Sequence, residues 1–480
     1  MKRFTSFSTF VIVILLSTSL FASGVGLTGI GARATALGGA YRGVANDWSA
    51  MYWNPAGLTK VQGMQFGFSV ERIKPTANYT PLQADAPLQV YRIGTQQNVD
   101  QTFYIPSAGL VYNTGKLSVG VSLYVPFGLG ATWDVFNTSG YNSAFPEDDY
   151  EDDLQIIDIH PSIAYQVSDK LSVGVGFSYT MADIIIRSPD SQPNPLLLDP
   201  AYAPLVAGVL EPMGLASDDY KNFLVDKELD GTGTGIGFNF GVQYSVTEDL
   251  TLGISGNWYD DISLDGEISA TAYLQEVDDA TILQLSATLD QMIALGMLTE
   301  ESKGQIMGAY SAPSQVYDKA KGDATLPLPM TIGGGVAYTG IKNLLLAADV
   351  SWTQWSAWDV IEIDMEDGSK SELVENWEDG IRISTGLEYT ATEALKLRAG
   401  YYTEPAAVPG ETLTITVPDI NRRHGINFGL SYNLGGMELF GSYEQLLIGD
   451  RDLNKWAEHN MAGLYKMKVW NVMFGLGYNF

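Results

Sequence analysis

Trp470-Asn471-Val472-Met473-Phe474-Gly475-Leu476-Gly477-Tyr478-Asn479-Phe480 closes the chain, and its reading decides the fold. Every second residue, Trp470, Val472, Phe474, Leu476, Tyr478 and Phe480, is large and apolar, while Asn, Met or Gly stands between. A strand sends successive side chains to opposite faces, so this stretch has one greasy face and one small or polar face. The same alternation runs from Leu171 to Tyr179, with Ser or Gly between, and from Ile236 to Tyr244. A water-soluble sandwich would turn the apolar face inward, and an outer-membrane barrel would turn it to lipid. Two features choose the barrel. Aromatics close the apolar faces, at Tyr165, Tyr179, Tyr244, Tyr338, Tyr389, Tyr432 and Tyr478, where interfacial girdles stand. Many strands also run past ten residues, longer than the usual ~5–6 of globular sheets, as a tilted membrane span requires.

Working outward from there, the pattern predicts about fourteen strands, the first over 62–74, the third over 116–127 and the last over 464–480. Six links are very short: Thr114-Gly115, Ser168-Asp169, Thr247-Glu248, Gly340-Ile341-Lys342, Ala391-Thr392-Glu393 and Gly435. They fall between each even strand and the next odd one, and the other links are mostly long. Tight periplasmic turns alternating with long external loops are the mark of a bacterial barrel, and an even count leaves both ends periplasmic. The predicted fold class is therefore all-β, a transmembrane antiparallel barrel occupying residues 61–480.

Two long loops carry apolar helical spacing. Ile282, Leu285, Leu289, Met292 and Ile293 mark Ala280–Leu298, and Leu205, Val209, Leu210 and Leu224 mark Leu196–Val225, interrupted by Pro204 and Pro212. They are expected either to pack on each other as a lid or to offer an external surface to a lipid-like ligand.

Composition bounds the partners. The 480 residues hold 27 Lys+Arg against 56 Asp+Glu, a formal charge of −29. That balance excludes a nucleic-acid partner, which needs a basic face. There is no cysteine, so disulfides, thiolate metal sites and thiol catalysis are excluded. The basic start Met1-Lys2-Arg3, the apolar core Phe10 to Leu16 and the small residues Ala22-Ser23-Gly24 read as an export signal over 1–23. Residues 24–60 then form a small-residue, glycine-bearing stretch too long for a lead-in, and a wide lumen needs filling. A plug inside the barrel is expected. The 51 glycines are read largely as inward strand positions that make room for it.

The motifs in that stretch, Ala36-Leu37-Gly38-Gly39-Ala40, Asn46-Asp47 and Trp53-Asn54-Pro55-Ala56-Gly57-Leu58, resemble the hatch of the outer-membrane long-chain fatty-acid and aromatic-hydrocarbon transporters of the FadL/TodX type. Tyr124-Val125-Pro126-Phe127-Gly128 with Trp133 is similar to that family's third-strand motif. Leu328-Pro329, Asp349 before Trp352 and Trp355, Leu397-Arg398-Ala399-Gly400-Tyr401, Val417-Pro418-Asp419 with Arg422, and Gly429 to Tyr432 extend the likeness to the end of the chain. The resemblance implies a plugged barrel in the outer membrane and a hydrophobic small-molecule ligand. It further implies an external apolar groove, an inner pocket near the hatch, and lateral release through an opening where the third strand kinks. Asn54, Pro55, Ala56 and Gly57 are the hatch motif; Pro126, Phe127 and Gly128 are the kink, because proline removes a ladder donor and glycine a packing side chain.

Extending the alternation places Asp158, His160, Asp349, Arg382, Glu388, Lys396, Arg398, Arg423 and Glu438 on the inner face. Most are read as mutual ion pairs; a fatty-acid carboxylate would need one spare cation, with Arg33, Arg382 and Arg398 as candidates. The acidic run Glu147 to Asp153 is either a solvated external loop or a seat for Ca²⁺ or Mg²⁺, alone or bridged to lipopolysaccharide phosphates. It lacks the ordered spacing of a calcium loop. No metal or cofactor is assigned. Beside the ligand, the expected partners are outer-membrane lipid and lipopolysaccharide, and the chain is expected to work as a monomer. Competing readings are a polar-solute porin or structural barrel and, among enzymes, only a barrel hydrolase using His160, since no zinc or nucleophile-elbow motif accompanies His160, His424 and His459.

Overall fold

The computed structural model describes residues 24–480 apart from 28, 87–89, 318, 367, 369 and 418. The expected signal segment 1–23 and Pro418 lie outside the described residues. Fourteen antiparallel spans form one closed barrel. They are β1 (Met64–Pro81), β2 (Phe103–Asn113), β3 (Leu117–Trp133), β4 (Tyr150–Gln166), β5 (Leu171–Pro193) and β6 (Asn222–Ser245). Four spans come in two pieces: β7 (Leu250–Tyr259, Ile262–Tyr273), β8 (Ala320–Leu326, Thr331–Ile341), β9 (Leu344–Thr353, Val360–Met365) and β10 (Lys370–Val374, Gly380–Thr390). The last four are β11 (Leu395–Glu404), β12 (Arg423–Asn433), β13 (Met437–Ile448) and β14 (Gly463–Asn479). Closure is by β1 on β14, in continuous register from Gln65↔Asn479 to Pro81↔Gly463.

The alternation read from the sequence sorts as lipid requires. Val175, Phe240, Ile254 and Phe474 stand exposed on the outer surface, while their strand neighbours are small, polar or buried. The predicted boundaries need correction at the external ends. β1 continues past residue 74 to Pro81, and β6 begins at Asn222, inside the stretch 196–225 expected to be helical. Above the lipid both faces of a strand become polar, and the period-two signal fades there. The rest of that loop is helical only in short pieces, Pro195–Leu198, Pro200–Tyr202, Ala203–Leu205, Val206–Leu210 and Asp218–Tyr220. The second loop holds α3 (Asp279–Ala294), as its spacing predicts, followed by α4 (Glu300–Ala309). Leu196, Leu205, Leu210, Leu285, Leu289 and Ile306 pack these pieces together over the barrel mouth, and Leu283, Leu295 and Met297 remain exposed.

Inside the barrel, the N-terminal segment forms α1 (Ala32–Ala36), α2 (Ala50–Trp53) and a 3₁₀ turn over Pro55–Lys60. It carries its own apolar core, with Leu37, Tyr41, Trp48, Met51 and Leu58 buried. Glycines on the surrounding strands let it approach. A Cβ built on Gly67 would lie 1.7 Å from Trp48, on Gly241 2.1 Å from Asn54, on Gly253 2.1 Å from the Arg42 carbonyl, and on Gly400 2.2 Å from the Gly38 nitrogen. Real Cβ atoms do not tolerate such separations, so each of these wall positions requires glycine while the segment stays in place.

Candidate functional site

The third span is where the barrel departs from regularity. Its ladder with β2 runs from Asn113↔Ser118 only to Ala108↔Leu123. Its ladder with β4 shifts register between Tyr124↔Asp158 and Phe127↔Ile156, three steps on one strand against two on the other, a β-bulge. From Tyr124 to Trp133 every residue of β3 is buried, so both its faces meet protein while it stays paired with β4 to Trp133↔Tyr150. Pro126 sits in the bulge, where a missing N–H costs no ladder bond. The freed inner edge is taken up by the N-terminal segment: Leu27 N donates to Pro126 O at 2.8 Å, and Gly128 N donates to Val25 O at 2.8 Å. Main-chain contact between the two sides resumes farther out, where Val99 N donates to Thr132 O at 2.9 Å.

Behind the bulge lies a cavity of about 80 Å³ between β3 and the N-terminal segment. Leu27, Tyr52, Trp53, Phe127, Tyr259 and Trp355 give it an aromatic wall, and Arg42, Arg382 and Glu404 a charged one. Phe127 meets Tyr259 edge-on at 5.4 Å and Trp355 at 6.4 Å. Farther out, Leu129, Ile184, Leu264, Trp358, Ile363 and Val417 line a second, apolar space of about 50 Å³ under the external loops. An apolar core cavity of about 150 Å³ takes a molecule no larger than benzene or xenon, so a ligand entering the smaller inner space must displace side chains or the strand-like Val25–Leu27.

The sequence-predicted cations divide into two groups. Arg33 and Arg398 share one carboxylate: Arg33 Nε lies 2.8 Å and Arg398 Nε 2.7 Å from Glu388 Oε2. Arg33 also donates to Asn46, and Arg398 to Ser431 at 2.9 Å. Arg33 borders a cleft with Lys60 and Lys396 at the opposite end of the segment, and neither arginine lines the inner cavity. Arg382 does. Its guanidinium stacks 3.5 Å over the Tyr402 ring, donates to Gly38 O at 3.2 Å, and has Glu404 at 3.8 Å, a long contact for a salt bridge. Arg42 joins it there and was not singled out from the sequence. Its side chain reaches Asp349 at 3.4 Å, and its buried Nε has no hydrogen-bond partner among the described residues. A cation amid the small and apolar residues Ala40-Tyr41 and Gly43-Val44-Ala45 is the available signal.

The hatch-motif residues serve as fasteners and do not line the cavity. Asn54 Nδ2 donates to Arg42 O at 2.9 Å and to Val242 O on β6 at 3.1 Å, while its Oδ1 accepts from Ala56 N at the start of the 3₁₀ turn. Pro55 occupies the first turn, where no donor is needed. A Cβ on Gly57 would fall 2.1 Å from Ala45 O. On the external side, Asp419 collects Gly24 N, Ala407 N and Arg423 Nη2. Burial holds its carboxyl above the ordinary range, against the pull of Arg423 and the two amides. His160 is fully buried, its Nδ1 2.9 Å from Ser178 Oγ and 3.5 Å from Asp158. That burial gives a hydrolytic substrate no approach. His424 sits on the lipid side, bonded to Tyr401. Asp149 of the acidic run binds the amides of Val135 and Phe136.

A family model described as outer membrane protein transport protein (OMPP1/FadL/TodX) matches residues 13–437. Outer membrane protein P1 of Haemophilus influenzae is 23% identical, covering 96% of this chain and 98% of its own length. The long-chain fatty acid transport protein of an Escherichia coli O6:H1 strain is also 23% identical, covering 99% and 98%. Among solved structures, a Pseudomonas aeruginosa FadL homologue superimposes with a TM-score of 0.71 at 16% identity, covering 95% of this chain and 100% of its own. The toluene transporter TodX of P. putida gives 0.65 at 16% identity, covering 95% and 99%.

Proposed function

The chain belongs to the outer membrane protein transport protein family (OMPP1/FadL/TodX), and from that membership we propose that it takes up long-chain fatty acids or similar hydrophobic compounds by binding them in the lumen and releasing them sideways into the membrane. It is an outer-membrane transporter of hydrophobic compounds and not an enzyme. The observation that carries the lateral route is the end of the β2–β3 ladder at Ala108↔Leu123 while β3 stays paired with β4. A bent strand beside an aromatic-walled cavity gives an apolar molecule a path that never crosses bulk water. The packed N-terminal segment, which acts as the hatch, closes the axial route that a polar solute would need.

In this reading a ligand collects on the exposed apolar residues of the loop helices and passes the space under Trp358. Its polar end comes to rest against Arg382 and Arg42, and its tail lies along Phe127 and Trp355. An oxyanion there would meet Arg42 Nε, which lacks a partner among the described residues, and would compete with the long Glu404 contact for Arg382. Planar-bilayer recording tests the hatch. The intact chain is expected to show no steady large conductance, and deletion of residues 26–60 to open one while abolishing oleate binding. A large steady conductance from the intact chain would favour a polar-solute porin and overturn the proposal.

A further inference from the structure

The outward faces of β1 and β14 change character at one level. On one side of it the lipid-facing residues are apolar: Phe66, Phe68 and Val70 on β1, Phe474 and Leu476 on β14. Arg72 stands at the level itself, and Trp470 one outward position farther, opposite Lys74. The row through Arg72 joins Tyr104 on β2, Val472 on β14 and Tyr443 on β13. Aromatic residues in such a row mark the height of lipid head groups. Toward the long loops follow Lys74 on β1 and Lys468 and Lys466 on β14, all of outward parity. Four cations thus share two neighbouring strands in a chain of net charge −29.

Two of the four are already engaged, Lys74 with Asp100 and Lys466 with Asp450 at 3.3 Å. Among the described residues neither Arg72 nor Lys468 has a carboxylate partner. The Arg72 guanidinium lies 4.8 Å over the Trp470 ring. Stacking holds the planar group and leaves its N–H edge free for an oxyanion. The external rim at β6–β8 is the opposite in sign: Asp230, Asp265, Glu267 and Asp323 surround Lys321 there. An anionic head group is repelled from that side and drawn to the β1–β14 side.

We propose that the outer face of β1 and β14 is a binding site for the phosphate of an anionic lipid in the external leaflet. Arg72 and Lys468 hold the phosphate, and Trp470 orients Arg72. The acyl chains lie on the apolar surface of Phe68 and Phe474, which adjoins Arg72, with Lys468 two outward positions farther toward the long loops. That continuity selects a lipid over a soluble phosphate. The assignment rests on the membrane placement of the barrel and is independent of what the lumen carries.

Native mass spectrometry of the full chain, released from a zwitterionic detergent, tests it with dioleoyl phosphatidic acid and dioleoyl phosphatidylcholine as probes. Phosphatidic acid is expected to be retained in preference, and Arg72→Gln with Lys468→Gln to lower its retention about tenfold. Lys321→Gln on the acidic side should leave retention unchanged. Lys468→Glu alone provides a second reading, with a loss at least as large as the single neutral change, and unboiled gel mobility verifies that each barrel is folded. Retention unaltered in the double variant, or equal retention of both lipids, overturns the site. Complete displacement of the lipid by millimolar inorganic phosphate would assign it to a soluble anion instead.

Discussion

Ala108 and Leu123 are the last pair that β2 and β3 hold in register, and the next residue of β3, Tyr124, begins a bulge against β4. The bulge exists because three steps from Tyr124 to Phe127 oppose two from Asp158 to Ile156. Removing one residue restores the count. Deletion of Pro126 is expected to remove the bulge and to cut uptake of labelled oleate by at least about tenfold, with heat-modifiable gel mobility retained. Uptake at the original rate in a folded deletion variant would show that the ligand does not leave by this side.

The N-terminal segment, the proposed hatch, is held by absence of side chains as much as by bonds. Gly400 on β11 and Gly241 on β6 meet the Gly38 nitrogen and the Asn54 side chain at 2.2 and 2.1 Å from where a Cβ would stand. Gly400→Leu cannot be absorbed by a rotamer change, because the obstacle is backbone. Overpacking of this kind costs about 1–3 kcal/mol, paid by the contact between hatch and wall, since the strand is held on both edges by β10 and β12. The variant is expected to fold as a barrel and to admit bulky antibiotics that the original excludes. Unchanged antibiotic sensitivity together with silent bilayers would mean that the hatch tolerates the displacement.

Legibility follows the physics of the lipid boundary. Within the membrane, lipid imposes one face and the lumen the other, so parity alone places Asp158, Asp349, Arg382, Glu388, Arg398 and Arg423 inside, and the structure has them buried or half-buried there. Outside the membrane the constraint lapses, and Asn222 to Asp230 does not read as strand although it pairs with Ile185 to Pro193 and, from Leu224, with Glu267 to Tyr273 across the external extension of the barrel. Parity also gives a face without a partner. Arg33 is 355 residues from Glu388, and their meeting depends on how the N-terminal segment folds inside the wall. The same holds for Arg42 and Asp349. The bulge is likewise a one-residue count between two strands, which the proline and glycine of β3 hint at and only the register settles.

The division of the arginines predicts two different phenotypes. Arg382→Leu removes a group that lines the cavity and touches Glu404 only at 3.8 Å. It is expected to weaken oleate binding about tenfold, with binding of an uncharged alkylbenzene unchanged, because a charge-assisted bond contributes roughly 1.5–3 kcal/mol. Arg398→Gln removes one of the two arginines on Glu388 and leaves Arg33 in place, so the loss should be smaller than the about 3–5 kcal/mol of a buried pair broken outright. That variant should lower the unfolding midpoint while sparing the affinity of whatever protein remains folded. Titration of both ligands against both variants by tryptophan fluorescence checks the split, and equal losses for oleate and alkylbenzene in Arg382→Leu would remove the carboxylate role.

Asp149 couples the external loop after β3 to pH. Its carboxylate accepts the amides of Val135 at 3.0 Å and Phe136 at 2.7 Å, folding residues 134–149 back on the end of the strand. Burial pushes its pKa up to about 7, outweighing those two amides, which favour the charged form. The sign follows from linkage: a carboxyl whose pKa is raised in the closed loop stabilises that loop while it stays protonated. The contribution is complete below the ordinary value of about 3.9 and is lost as pH rises through about 7. Protection of the Val135 and Phe136 amides from hydrogen exchange, corrected for the intrinsic rate, is therefore expected to fall about tenfold or more between pH 5 and pH 8. Asp149→Asn cannot ionise and should flatten the profile while keeping one acceptor for these amides. A profile that is already flat in the unaltered chain would show that the carboxyl ionises in place without opening the loop.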